Sequence, residues 1–164
     1  MTRKQKGFSL IELLIVVAII LIIAAIAIPN LLRAKMAANE SSSVGSLRSI
    51  NTANVSYASN YPSIGFSPTM AALGGVSPCT TAITTAACLI DDTLATAITA
   101  GTAKSGYFFT YAVTQSSGLD TGYTNLGTPA NQGVTGQRNF FTDESGVIRY
   151  GLTGAATVAS SPIQ

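Results

Sequence analysis

The chain has 164 residues, with nine Lys or Arg, seven Asp or Glu and no histidine. Three of the nine cations, Arg3, Lys4 and Lys6, lie at the start, so the rest of the chain carries six cations against seven anions, or −1. This balance leaves no basic patch for a row of phosphates, which argues against nucleic-acid binding. Without histidine or a glycine-rich phosphate loop, the sequence offers no hydrolase site, and we expect neither an enzyme nor a cofactor.

An unbroken apolar stretch follows the basic start. Residues 8–28 number 21, and no polar side chain occurs in residues 13–28. As a helix, the 21 residues span about 31 Å, close to the hydrocarbon thickness of a bilayer. We expect this segment to lie in a membrane, with the basic start on the cytoplasmic side. A secretory signal is cut after its apolar stretch, whereas the candidate cut here lies in front, between Gly7 and Phe8.

A single carboxylate, Glu12, stands at the start of the apolar stretch. One interpretation is a capping box, in which Ser9 caps a helix and Glu12 reaches back to the Ser9 backbone N–H. That role does not explain a carboxylate within a membrane-length segment, where insertion costs about 3 kcal/mol. In the second interpretation, a cut after Gly7 gives Phe8 a cationic amine, which pairs with Glu12 of a neighbouring copy in a low dielectric. The two roles are compatible, with the cap first and the pair later.

Four features together resemble the N-terminus of type IV pilins and the related pseudopilins. They are the basic start, the motif GFSLIE from Gly7 to Glu12, the apolar stretch and Pro29. The resemblance covers residues 3–36. It implies that a prepilin peptidase removes the leader, residues 1–7, and that Phe8 is then N-methylated. It also implies that an inner-membrane assembly platform draws copies of the chain from the lipid into a helical filament, in which Glu12 faces the Phe8 amine of a neighbour.

Pro29 is expected to bend the helix. It has no backbone N–H, so the carbonyl of Ala25 loses its helical partner. Beyond Pro29, apolar residues keep an approximately helical spacing as far as Tyr57. We therefore predict one long, curved helix within residues 8–60, with residues 8–28 in the membrane or filament core and an amphipathic second half.

Residues 61–164 are expected to form a globular head. A first short helix is predicted with Ser67 as its N-cap, Pro68 in its first turn and Gly74 at its end. A second short helix is predicted at residues 89–95. Both lie in a connecting loop that precedes the strands.

The head contains two cysteines, Cys79 and Cys88. Without histidine they are too few for a zinc site. We expect a disulfide, which places the head in an oxidising compartment, rather than two buried thiols. Closure of so short a loop stabilises the fold by about 2–3 kcal/mol.

Three or four antiparallel strands are predicted after the cysteines. Aromatic and β-branched residues indicate a strand at residues 107–114, and residues 122–126 form a weaker candidate. Residues 139–142 and 147–150 indicate a hairpin around a glycine-containing turn. The expected fold class is α+β, with a small antiparallel sheet packed on the second half of the long helix.

The acidic pairs Asp91-Asp92 and Asp143-Glu144 are the candidate ligands for calcium, because this ion prefers carboxylates and loop carbonyls. Neither pair matches a known calcium loop. Turn and cap roles are therefore the preferred interpretation, and no metal site is predicted.

Three functions remain open. The first is a structural subunit of a type IV pilus, serving adhesion, motility or DNA uptake, and the cysteine pair favours it. The second is a pseudopilin of a type II secretion system. The third is a membrane-anchored enzyme or binding domain that keeps its N-terminus, which the missing catalytic groups disfavour. The expected location is the bacterial inner membrane, with a periplasmic head, and then the extracellular filament.

Overall fold

The computed structural model describes residues 8–152 and 154–163. Gly7 and the rest of the predicted leader lie outside the described residues. The described chain has three α-helices and five strands: α1 (Leu10–Asn60), α2 (Met70–Leu73), α3 (Asp92–Ala95), β1 (Tyr107–Ser116), β2 (Leu119–Pro129), β3 (Asn139–Asp143), β4 (Arg149–Gly151) and β5 (Ser161–Pro162). The predicted α+β class and the long N-terminal helix are confirmed.

The chain divides into two compact units, with the sequence boundary between Lys35 and Met36. We call them the N-terminal unit and the head unit, and α1 contributes residues to both. In the N-terminal unit, α1 continues through Pro29. An 18-residue window of α1 has a mean hydropathy of 3.3 and no buried residue, so by length and composition this helix can cross a membrane.

The core of the head unit forms between one face of α1 and the sheet. Leu47, Ile50 and Tyr57 recur every three or seven residues, which places them on one side of the helix. They are fully buried and pack in one cluster with Phe109 of β1 and Phe140 of β3. The amphipathic second half predicted from the sequence is therefore confirmed.

The five strands form one sheet in the order β1-β2-β3-β4-β5. Each strand pairs antiparallel with the next. Ser117 and Gly118 join β1 to β2, and both have positive φ angles, 54° and 81°. Two such residues form the hairpin turn whose twist matches that of the flanking strands.

The strands β1, β2 and β3 extend beyond their predicted positions, whereas β4 begins two residues later than predicted, at Arg149. The weaker candidate at residues 122–126 is the centre of β2, an 11-residue strand. The predicted hairpin is confirmed as β3 and β4. The sequence did not predict β5, which pairs with β4 through Arg149 and Pro162. Its two residues are too few to show a pattern, and pairing with β4 defines them.

The predicted N-cap of α2 is wrong. Thr69 caps this helix, since its side-chain oxygen accepts a hydrogen bond from the backbone N–H of Ala72 at 3.2 Å. Ser67 is buried, and its backbone N–H donates to Oδ1 of Asn54 at 3.3 Å, which holds it in the core before the helix begins. Gly74 ends the helix as predicted.

The second predicted helix begins later than expected, at Asp92 instead of residue 89. The N–H groups of Leu89 and Ile90 both donate to the carbonyl of Leu73, at 2.8 and 3.2 Å. These bonds attach the segment to the end of α2 instead of starting a helix.

Cys79 and Cys88 form the predicted disulfide, with their Cα atoms 5.8 Å apart. The end of the closed loop is attached to the region of α2. The backbone N–H of Ala87 donates to Ala72 O at 2.8 Å, and that of Cys88 donates to Gly74 O at 2.9 Å. The disulfide thus ties the exposed loop to a segment that packs in the core.

Candidate assembly segment

The first turn of the N-terminal unit contains the two residues predicted to act in assembly. Phe8 precedes α1 and is 77% exposed. The backbone N–H of Ser9 donates to Oε2 of Glu12 at 2.9 Å, and that of Leu13 donates to Ser9 O at 3.2 Å. The predicted reach of Glu12 back to Ser9 is confirmed. The described residues show no hydrogen bond to the Ser9 hydroxyl, so half of the capping box is formed.

The large apolar side chains of this unit are exposed on all sides of the helix. From Phe8 to Leu32, their exposed fractions lie between 46% and 77%. A helix that is apolar all round is stable in lipid or among other apolar helices, because water does not stabilise such a surface. The described residues bury none of these large side chains. The segment therefore has the surface of a membrane anchor or of a helix packed among copies of itself.

Glu12 is the one ionisable side chain in residues 8–32. An ionised carboxylate offers about four acceptor positions on its two oxygens. The bond from Ser9 occupies one position on Oε2 and leaves Oε1 available. In a low-dielectric setting this oxygen is the strongest acceptor that the segment presents to a cation from outside.

The other predicted site residues are separate from this turn in the sequence. Pro29 lies inside α1 within the N-terminal unit, and Cys79 and Cys88 lie in the head unit. Phe8 and Glu12 are thus the predicted assembly residues that the described structure brings within one turn. The cleavage residue Gly7 precedes them, outside the described residues.

Sequence analysis missed a buried carboxylate in the head, Glu40 of α1. Its Oε1 accepts the backbone N–H groups of Gln137 and Arg138 at 2.8 and 3.1 Å, and its Oε2 accepts Nε of Arg138 at 2.8 Å. Burial alone raises the pKa of Glu40, but these hydrogen bonds and the guanidinium outweigh it and hold the pKa below its ordinary value. The signal was its position seven residues before Leu47, on the buried face of the helix.

Further contacts fix the segment before β3 to α1. The side-chain amide of Asn39 donates to Thr135 O at 2.8 Å. The Arg138 guanidinium carbon lies 5.6 and 5.5 Å from the ring centroids of Phe140 and Tyr150, within cation–π distance. Arg138 is therefore held in one place by a carboxylate and two rings.

The acidic pairs have structural partners in the head. Asp91 binds Lys104 at 3.0 Å, and the Thr93 hydroxyl, followed by Lys104, lowers the pKa of Asp91 against the opposing effect of burial. Asp143 accepts the backbone N–H of Ser145 at 3.0 Å, as expected of a turn residue. Within the described residues, no group of three or more Cys, Asp or Glu is placed to hold a metal ion.

Comparison with known proteins finds similarity to pilins. Residues 2–28 match the family model described as the prokaryotic N-terminal methylation motif. The chain is 66% identical over 38 residues to the type IV wide pilus major component PilA4 of Thermus thermophilus, a match that covers 23% of the chain and 29% of that protein. It is 42% identical over 72 residues to the type IV major pilin protein PilA of Myxococcus xanthus, covering 40% of the chain and 33% of that protein.

The matched regions thus span 29% and 33% of the two relatives' own lengths. No solved structure matches the chain significantly. The identity is higher over the 38-residue match, at 66%, than over the 72-residue match, at 42%.

Proposed function

The methylation motif and the two pilin relatives support membership of the type IV pilin family, and on that premise we propose that the chain is a structural subunit of a type IV pilus. Copies polymerise through their N-terminal helices into a helical filament that serves adhesion, motility or DNA uptake. The observation that carries the proposal is the exposed, wholly apolar first part of α1 with Glu12 as its one carboxylate.

Processing of the precursor precedes assembly in this proposal. The prepilin peptidase removes residues 1–7 by cutting after Gly7, and the amine of Phe8 is N-methylated. The match of residues 2–28 to the methylation motif supports this step. Phe8 precedes the first helical residue, Leu10, so the new amine is free of the intrahelical bonds of α1.

Before assembly, the precursor is anchored in the bacterial inner membrane with the head in the periplasm. The hydropathy of α1 supports the anchor, and the basic residues before it favour a cytoplasmic start. The disulfide between Cys79 and Cys88 fits a head in an oxidising compartment. An assembly platform in the same membrane then transfers each subunit to the filament.

Transfer from lipid to filament changes the surroundings of the helix very little. Aliphatic side chains are as well accommodated by other aliphatic helices as by lipid tails, so extraction need not cost much free energy. Contacts between such apolar surfaces do little to fix the position, or register, of one helix along its neighbour. Glu12, bound to the Phe8 amine of a neighbour, supplies that register, as lone polar groups do in other helical assemblies.

We prefer a pilus to a pseudopilus because both relatives described above carry the name of a major pilus component. A gene neighbourhood with a retraction ATPase would agree with this preference. A neighbourhood of type II secretion genes would instead favour the pseudopilin alternative.

The test of the proposal is electron microscopy of material sheared from cells that make the full chain. Wild-type cells are expected to shed filaments of this protein. Glu12→Ala is expected to leave cleavage after Gly7 largely intact and to abolish filaments, whereas the matched control Asp92→Ala, which removes an exposed acid of the head, keeps them. Abundant filaments from Glu12→Ala would refute the pairing, and their absence from wild-type cells would refute the function.

Mass spectrometry of the terminal peptide tests the processing step. The mature protein is expected to begin at Phe8 with a methylated amine. Gly7→Lys is expected to leave an uncut precursor in the membrane, because the cleavage motif is lost. Normal processing of that variant would show that the cut lies elsewhere.

A further inference from the structure

The charged side chains of the head unit differ in whether they have an ionic partner. Two ion pairs join described residues, Lys104 with Asp91 at 3.0 Å and Arg138 with Glu40 at 2.8 Å. The exposed side chains of Arg48, Asp92 and Glu144 and the half-buried side chains of Asp143 and Arg149 have no ionic partner among the described residues. The head therefore presents two cations, Arg48 and Arg149, and three anions without an ionic partner, and Arg48 is the more exposed of the two cations.

Arg48 lies in a groove with a second guanidinium, that of Arg138. Arg48 and Arg138 line this groove together with four further residues, Glu40, Ser41, Val44 and Ile163. We call it the arginine groove. Glu40 already accepts three hydrogen bonds from Gln137 and Arg138. One carboxylate against two guanidinium groups leaves a charge of about +1, which suits one further carboxylate.

Both guanidinium groups have donors left for such a ligand. Arg138 uses Nε to bind Glu40, and the described residues show no hydrogen bond from its terminal nitrogens. Its side chain is 39% exposed, so these nitrogens are within reach of an incoming group. A guanidinium has five N–H donors in a fixed plane, a geometry that matches a carboxylate.

The strongest isolated negative charge is in the turn between β3 and β4. Asp143 and Glu144 are neighbours there, and the Glu144 carboxylate has no hydrogen-bond partner among the described residues. Burial, followed by these two carboxylates, raises the pKa of Tyr123 to about 12. The third anion, Asp92, stands beside Asp91, which already has an ion-pair partner in Lys104. Two unpaired carboxylates are therefore adjacent at Asp143 and Glu144 and not at Asp92.

The arginine groove and the acidic turn lie at opposite ends of β3. Arg138 directly precedes this strand and is bound to Glu40, while Thr142 near its end accepts a hydrogen bond from Asn51 at 2.8 Å. β3 therefore runs alongside α1 in the same direction. From Glu40 to Asn51 is about 16 Å along the helix. The groove and the turn are thus offset along α1.

We propose that head units contact one another head to tail, with Glu144 of one copy bound in the arginine groove of the next. The inference rests on the proposed polymerisation and adds a contact to the one made by Glu12. Copies whose α1 helices are parallel bring a turn beside a groove after a shift along the helix axis. The two surfaces differ, so the contact repeats without closing and propagates a polymer.

Charge exchange in cells that make the full chain tests the contact. Arg48→Glu and Glu144→Lys are each expected to lower the sheared filament about fivefold, the scale of one exposed ion pair. The double exchange is expected to restore wild-type amounts. Asp92→Lys is the matched control and is expected to leave the amount unchanged. The level of disulfide-bonded subunit in the membrane identifies a variant that fails to fold.

Cross-linking tests the direction of the contact. A chain with both Arg48→Cys and Glu144→Cys is expected to give a ladder of oligomers when its filaments are mildly oxidised. Either single variant is expected to give no covalent dimer, because a head-to-tail contact brings different residues of two copies together. Dimers from a single variant would indicate a two-fold contact and overturn the proposal.

Two further results would also overturn it: wild-type filament amounts in both charge reversals together with no ladder from the double variant, or an equal loss of filament with Asp92→Lys. These outcomes presuppose wild-type filaments. Cells that shed no filament at all would refute the proposed function, which is a different result from filaments that lack the head contact.

Discussion

The two units share one helix, but its large apolar side chains are exposed in the N-terminal unit and those on one face are buried in the head unit. Leu21 in the N-terminal unit is 64% exposed, whereas Leu47 in the head unit is fully buried. In the head unit, the apolar face of α1 packs against the sheet of the same unit. Among the described residues, the apolar side chains of the N-terminal unit have no such partner. Folding of a single chain therefore completes one half of the helix, and the other half requires lipid or further copies.

The two units also differ in how many hydrogen-bond partners they offer to a polar side chain. In the head, the buried side chain of Asn54 donates to Ile50 O at 3.1 Å and accepts the Tyr111 hydroxyl at 2.8 Å. Burial raises the pKa of Tyr111 far above its ordinary value, so the hydroxyl stays protonated as a donor. In the N-terminal unit, the apolar segment offers Glu12 one local partner, the backbone of Ser9.

The largest expected effect comes from the same truncation in the two units. Leu47→Ala is expected to lower the free energy of unfolding of the head by about 2–5 kcal/mol, because it leaves a cavity in a packed core. Leu21→Ala is expected to change it by less than about 0.5 kcal/mol. Urea unfolding of the full chain in detergent, followed by tyrosine fluorescence, measures both. Equal effects would contradict the division into two independently stabilised units.

Removal of the disulfide is expected to have the next largest effect. The double variant Cys79→Ala, Cys88→Ala is expected to destabilise the head by about 2.5 kcal/mol, since the bridge closes a short loop. The same unfolding measurement, with the wild-type protein under reducing conditions as a second comparison, gives the value. An unchanged unfolding midpoint would show that the bonds from Ala87 and Cys88 to the α2 region hold the loop without the bridge.

Glu40→Gln is expected to destabilise the head by about 2 kcal/mol. The variant loses a charge-assisted bond to Arg138 and presents an amide donor to the existing N–H donors. Ser41→Ala, at the neighbouring exposed position, is the control and is expected to stay within about 0.5 kcal/mol of the wild type. A Glu40→Gln midpoint equal to that of the control would refute the role of this ion pair in the head.

The smallest expected effects appear only at extreme pH. The pKa of Glu40 is lowered, so its stabilisation is present above pH 4.5 and is lost as the pH falls through the lower folded value. The pKa of Tyr123 is raised from 10.0 to about 12, so its stabilisation is present below pH 10.0 and is lost as the pH rises towards 12. Thermal unfolding is expected to show a plateau between these limits.

Glu40→Gln is expected to weaken the acid side of this profile and to leave the alkaline side unchanged. An acid side that is identical in the variant and the wild type would assign the loss of stability to other carboxylates.

Sequence patterns predicted the features that depend on neighbouring residues. The apolar periodicity of α1, the reach of Glu12 to Ser9 and the hairpin of β3 and β4 each arise within a few residues. The disulfide was predictable from number and chemistry, because the chain has two cysteines and no histidine. Each of these signals is complete before the chain folds.

Features that depend on distant residues were missed. Glu40 and Arg138 are almost a hundred positions apart, and the pair exists because β3 lies along α1. The full length of β2 was hidden by glycine, which disfavours strands. Gly127 is nonetheless suited to its position, because a Cβ there would lie 3.1 Å from the Ser43 hydroxyl and 3.3 Å from the ring of Phe109.

In the proposed filament, the hydrogen bond between Ser9 and Glu12 bears on how readily a subunit is added. It occupies Oε2 and leaves Oε1 open, so the carboxylate can accept an incoming ammonium group while it retains its own backbone donor. The first turn need not unravel for a newcomer to dock. In the proposed filament, the addition of a subunit would then meet no conformational barrier at this turn.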